Sequence, residues 1–345
     1  IPSWIATNPD AKEVAGVSTV DEALAATIYN NDYFIDNRLG YCKFLNVLQG
    51  SNHSTADYWY NNVKHYCDPG KYSQPFNGWA MGDQNMCDVH LILKRIVTLK
   101  WEGLLEKNHH DWMHFLGTSM LEWAVLLTEL QNAVRQHHNP NFTVSFDCAS
   151  PFLATANGQV YHDILTPNFG KWSYKMSGSA DDRKYHNDSR PFRDVVLSDG
   201  IFDEFIESPV SSRLKIQDIC YYSPGQTNQR GTVSKTSWDS LSYAFLMAHN
   251  VWLHVKAVQN ANQAWQEGIM PKMLVDSNGK TWTDVVHEVL TASSYEKAIG
   301  LVDKHEKWFQ KIRGTRGLSG NAVWNSGESF EKFFNEQGAG TWRLE

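Results

Sequence analysis

The chain has 345 residues, of which 42% are hydrophobic and 20% charged, and it carries a net charge of −7. Those proportions exclude a disordered chain and provide for one large domain or two smaller ones, each with its own core. No apolar run approaches the roughly 18 residues of a membrane span, no signal-peptide pattern is present, and the acidic balance withholds the overall basic footprint that nucleic-acid binding leaves.

In chain order, Ser3-Trp-Ile-Ala-Thr7 reads as a strand, turned by Asn8-Pro9-Asp10. Ser18 or Thr19 caps a helix that runs to about Tyr29, with Asp21 and Glu22 in its first turn. A second strand spans 43–50 and ends in Gln49-Gly50; a helix with an aromatic face follows from Thr55 to Tyr66. Trp79–Met81 is the third strand, Asp88–Leu105 a long helix, Trp112–Leu116 the fourth strand and Met120–Val134 another amphipathic helix. His137-His138-Asn139-Pro140 closes that helix as a loop, and Val144–Phe146 is a fifth strand. Residues 1–150 therefore alternate strand and helix, which specifies an α/β fold with five parallel strands: part of a doubly wound sheet or of a (β/α)8 barrel.

Beyond Tyr161 the periodicity weakens, and residues to about 236 read as an irregular inserted lobe with short strands at Asp194–Leu197 and Leu214–Tyr222. Ser237–Gln266 is a long helix, within a segment bounded at 237–268. The segment 269–345 is a helical extension, with helices near 281–292 and 294–312 and an aromatic tail. Five cysteines, an odd number without a C-x-x-C pair, argue for a reducing, cytoplasmic compartment, so the sequons at Asn52, Asn141 and Asn187 are incidental.

The chemistry concentrates where strands end. Asp147 follows Phe146 and precedes a turn set by Pro151 and Gly158. In parallel α/β folds that end of a strand faces the ligand crevice, so Asp147 is a nucleophile or general base, or else the cap of the next turn. Upstream, Gln49-Gly50, Gly78-Trp-Ala-Met-Gly-Asp83 and Leu116-Gly117 close three earlier strands at helix-sized intervals. Taken in order with Phe146-Asp147-Cys148, these pieces resemble the tRNA-guanine transglycosylase family, whose patterns there read VQG, G-(Y/F)-A-I-G-G, Y-L-M-G and F-D-C-V-x-P-T-R-x-x-R-N-G. The resemblance covers roughly residues 43 to 160 and implies a TIM-like (β/α)8 barrel, with residues 1–160 carrying the site and the Ser237–Gln266 helix as its last barrel helix. It implies Asp147 as the nucleophile of a base exchange. Gln49 and Gly50 would read the base, Gly82 would reach its carbonyl, and Leu116-Gly117 would close one face of the pocket. Asp10 is a shifted match to the family's base-binding aspartate, and is equally a plain turn residue.

The departures carry information too. Asp83 stands for the second glycine of the pair, where it binds a cationic or amino-rich base or caps a helix. Leu153 and Ala156 replace the two arginines that hold the polynucleotide. Of the zinc motif and its distant histidine only Cys220 and His249 remain, too few for a closed zinc site. No counterpart exists for the segment carrying the family's general base, nor for the first three barrel strands; with Ile1 at the start, an upstream truncation accounts for both. A barrel lacking those strands has an open edge, which a homodimer or a partner chain would complete. These losses look more like the family branch that inserts 7-deazaguanine bases into the DNA of bacteria and phages. The expectation is a DNA-acting transglycosylase without a cofactor. The alternatives are a tRNA enzyme binding through the basic residues Lys171, Lys175, Arg183, Lys184, Arg190 and Arg193 (a second basic group lies at Lys307, Lys311, Arg313 and Arg316), and a non-catalytic barrel homologue serving as a nucleic-acid-binding subunit.

Overall fold

A computed structural model describes residues 10–165, 172–179, 182–219 and 240–312. The first expected strand (3–7), Cys220, Lys171, Arg313, Arg316 and the tail from 313 lie outside the described residues. The chain divides into two units, 1–148 with 271–345, and 149–270.

The first unit is mixed α/β. After α1 (Ala11–Ala15) and α2 (Val20–Asn37), it alternates β1 (Asn46–Leu48), α3 (His53–Val63), β2 (Gly78–Met81), α4 (Val89–Trp101), β3 (Trp112–Phe115), α5 (Leu121–His137) and β4 (Thr143–Phe146). The strands form one parallel sheet in the order β1-β2-β3-β4. The helices start where the sequence supplies side-chain acceptors: Thr19 for α2, Asn52 for α3 in a reciprocal box with Thr55, and Asp88 for α4.

Register partners in a parallel sheet share a face, and successive residues alternate. On one face Leu48, Trp79, Met81, Met113 and Phe115 are buried, and Trp79 donates its indole N–H to the carbonyl of Leu104 (2.9 Å). Each such side chain contributes about 1.5–3 kcal/mol by leaving water. The opposite face carries Val47, Ala80, Trp112, His114 and Ser145; it is polar at its β3–β4 end and only partly covered. Helices α10 (Trp282–Thr291), α11 (Tyr295–Lys304) and α12 (Glu306–Phe309) complete this unit, with α10 on α5 and α11 on α4. The expected helices at 281–292 and 294–312 are thus present, the second split at His305.

The second unit contains α6 (Ser150–Ala156), the antiparallel pair β5 (Gln159–Leu165) and β6 (Ser173–Gly178), α7 (Asp182–Tyr185), α8 (Phe192–Ser198) and the long α9 (Ser240–Gln266). Two expectations are corrected here. Asp194–Leu197 is helical, not a strand: Pro191 stands at the N-cap, Asp194 lies in the first turn, and Phe192, Val195 and Val196 recur at helical spacing to be buried together. Leu214–Tyr222 is not a strand in its described part, which forms a short 3-10 turn over Ile216–Asp218 with one bridge from Lys215 to Pro191. Among the described residues no helix is long and apolar enough to cross a membrane.

Candidate functional site

The four sequence pieces that end in Gln49-Gly50, Gly82-Asp83, Leu116-Gly117 and Asp147 close four neighbouring strands at the same end of the sheet. Backbone hydrogen bonds continue the ladder past the strands: Gly82 donates to Leu48 (2.9 Å) and Leu116 to Met81 (3.1 Å). This sets the loop residues side by side.

Gly50 has a φ of 146°, and a Cβ there would run into the backbone of Ala56 at the start of α3, so only glycine fits between β1 and that helix. Gly82 is different. A Cβ on it would come within 3.2 Å of both Nε2 and Oε1 of Gln49, so the glycine opens the floor on which the Gln49 amide lies. Asn85 reaches back to the same turn, donating from Nδ2 to the Gly82 carbonyl (3.3 Å). Gln49 Oε1, Asn85 Oδ1 and Thr118 Oγ1 are buried without a hydrogen-bond partner among the described residues. A buried polar group left open costs about 1–3 kcal/mol, so two amide oxygens and a hydroxyl in the loops at these strand ends suit a ligand that supplies donors.

Asp83 begins the 3-10 turn Asp83–Met86 with a φ of 53°, in the left-handed region that non-glycine residues seldom occupy. The cap of α4 is Asp88, whose Oδ1 accepts from the Leu91 amide (3.1 Å), so Asp83 does not have that role. Asp10 is exposed and precedes α1, which has no side-chain cap bond.

The Asp147 side chain is 64% exposed, and its Oδ1 accepts from the Gly117 amide (3.0 Å). The N-cap of helix α6, which starts three residues later, is Ala149 and not Asp147. The sequence reading passed over the neighbours of Asp147. His114 Nε2 faces Oδ1 at 3.4 Å, His114 Nδ1 lies 2.8 Å from Ser145 Oγ, and the Trp112 indole donates to that same Oγ (2.6 Å). The signal available was Trp112 and His114 two apart on β3, hence on one face, with Ser145 and Asp147 likewise spaced at the end of β4.

His249, one half of the residual zinc pair, is buried in the second unit. Its Nε2 is 2.7 Å from the Tyr161 carbonyl and its Nδ1 2.9 Å from Ser208 Oγ, and burial holds the imidazole down to about 4. Both ring nitrogens are spent on protein partners, which leaves none for a metal, and among the described residues no group of three potential ligands is assembled. Asn250 beside it ties α9 to α6 and β5, donating to Thr155 Oγ1 (2.9 Å) and the Gln159 carbonyl (3.0 Å) while accepting from the Tyr161 amide (2.8 Å).

Three of the basic residues after β5 are paired with carboxylates. Lys175 pairs with Asp163 and Asp203 (3.2 Å each), Lys184 with Asp199 (3.2 Å) and Arg190 with Asp188 (2.7 Å). Compared with known proteins, the chain matches no family model, no curated protein and no solved structure.

Proposed function

We propose that the chain is a base-exchange transglycosylase that replaces guanine in a polynucleotide, DNA in preference to tRNA, with a 7-deazaguanine derivative. The observation that carries this reading is the meeting of Gln49, Gly82, Gly117 and Asp147 at one end of four neighbouring parallel strands, with an exposed carboxylate beside unpartnered buried acceptors. A purine amide edge supplies N–H donors of the kind those acceptors lack.

In the first half of the reaction the Asp147 carboxylate attacks C1′ while the bond to N9 of guanine breaks with its electron pair, and the departing base takes up a proton. In the second half N9 of the incoming base attacks C1′, loses its proton and releases the carboxylate. Two successive inversions at C1′, the carboxylate attacking from the face opposite the base, restore the original configuration. The sequential strand order with a helix after each strand suits one half of a (β/α)8 barrel; a doubly wound sheet would reverse its order at a switch point. The preference for DNA is supported by Leu153 and Ala156 on α6 in place of arginines, and by the carboxylates that already occupy Lys175, Lys184 and Arg190.

The test is nucleoside mass spectrometry after incubating the chain with a 7-deazaguanine base and either duplex DNA or tRNA, with Asp147→Ala alongside. A modified deoxynucleoside that disappears in the variant is the expected result. A modified ribonucleoside alone would turn the assignment to a tRNA enzyme. No product from either substrate, in a folded chain, would sink the enzymatic reading in favour of a binding subunit.

A further inference from the structure

Trp112, Ser145, His114 and Asp147 form a line of contacts. The Trp112 indole can only donate, and it donates to Ser145 Oγ at 2.6 Å. The Ser145 hydroxyl proton therefore needs another acceptor, and His114 Nδ1 stands 2.8 Å away. At the far edge of the ring, Nε2 faces Asp147 Oδ1 at 3.4 Å. A lone pair there would be repelled by the carboxylate, whereas an N–H is attracted. With Ser145 donating to Nδ1, the arrangement suits the tautomer that carries its proton on Nε2.

The line is built into regular structure. His114 and Ser145 are register partners across β3 and β4, Trp112 lies on the same face two residues earlier, and Asp147 extends the Ser145 face past the strand end. Groups carried by adjacent strands are held more tightly than groups on loops. The Gly117 amide also goes to Oδ1, to which it donates at 3.0 Å. Neither of these two contacts is to Oδ2.

We propose that His114 is a positioning residue for Asp147. Held by Ser145 and Trp112, its Nε2 edge stands 3.4 Å from Oδ1 and leaves Oδ2 as the oxygen that bonds to C1′. This rests on the reading of Asp147 as the nucleophile. In the covalent intermediate Oδ1 is the ester carbonyl oxygen. When the incoming base attacks C1′, the C1′–Oδ2 bond breaks, its electron pair returns to the carboxylate, and the charge regained by Oδ1 meets the Gly117 N–H and the imidazole edge already in place. Donors aimed at developing charge in a preorganised site are the largest common source of rate enhancement.

Two measurements on the whole chain test this. The first labels histidine with 15N and records long-range proton–nitrogen spectra of the imidazoles, assigning His114 by its loss in His114→Gln. Protonation on Nε2, giving way to a tautomer mixture in Ser145→Ala, is expected; protonation on Nδ1, or a Ser145→Ala spectrum identical to wild type, overturns the proposal. The second compares kinetics. His114→Phe is expected to lower kcat about 30-fold with KM for the base within about twofold, and His114→Gln, whose amide N–H can reach the Nε2 position, to recover most of that loss. An unchanged kcat in His114→Phe overturns the proposal. A wild-type chain that exchanges no base refutes the role of Asp147, and the role of His114 in ester chemistry with it. The spectrum separates that failure from a failure of the relay itself.

Discussion

Two clusters of polar side chains, one in each unit, are buried in opposite ways. In the second unit His249 and Asn250 sit at 0% exposure with partners at every ring nitrogen and amide group described above, so they join β5, α6 and α9. In the first unit Gln49, Asn85 and Thr118 keep buried oxygens without partners beside a carboxylate that faces solvent. A saturated polar group has its interactions committed to the fold, while an unsaturated one has some left for a ligand. On this contrast the conspicuous His-Asn pair is structural, and the plain-looking glycine turns are where chemistry is expected.

The largest effect that would break this contrast is at Asp147. Asp147→Asn should lower exchange by about 10⁴-fold while leaving the melting temperature near that of wild type, because an exposed carboxylate adds little to the fold. Retained activity measured by product formation would remove the basis for treating the strand ends as a site. Next come the two glycines. Gly50→Ala should cost about 4 kcal/mol or more in denaturant titration, since the clash is with backbone, whereas Gly82→Ala should remain within about 1 kcal/mol of wild type and lose base binding, since it displaces only the tip of Gln49. Equal destabilisation by both would place Gly82 with the structural residues.

The second unit should reveal itself through acid. Burial holds His249 and His254 each down to about 4, below the ordinary histidine value near 6.5. In that interval the unfolded chain binds more protons than the folded one. The stabilisation is therefore complete above about pH 6.5 and is lost as pH falls toward 4, by about 3 kcal/mol per histidine. Urea midpoints from pH 7 to 4 check this, and His249→Gln should flatten the curve. The smallest effect is at a helix end: Asn52→Ala removes the acceptor for the Thr55 amide (2.9 Å) and should cost about 1 kcal/mol.

The first unit was largely legible because its punctuation is local. Strand ends at Gln49, Gly82 and Phe146, and caps at Thr19 and Asp88, follow from turn residues and side-chain acceptors next in sequence. The second unit was less so. The β5–β6 hairpin escaped because a register shift between Tyr161 and Asp163 breaks the alternation that marks a strand. Val195 and Val196 favour strands in isolation, yet Pro191 and the packing of Phe192 make their segment a helix. The His114–Ser145 contact spans 31 positions and depends on which residues of β3 and β4 stand opposite, a matter of register that neither strand declares alone.

The interruption of the first unit by the second has a consequence for how the chain comes into being. Trp282 hydrogen-bonds a carbonyl 156 positions earlier, Lys100 one that lies 190 positions later, and His90 meets Asp303 across 213. The apolar sides of α4 and α5 are thus synthesised well before the helices that cover them. At ~5–20 residues per second the ribosome needs on the order of 10 s to deliver that cover. Translation arrested at Met270 is therefore expected to yield a fragment that aggregates more readily than the whole chain, as light scattering would show.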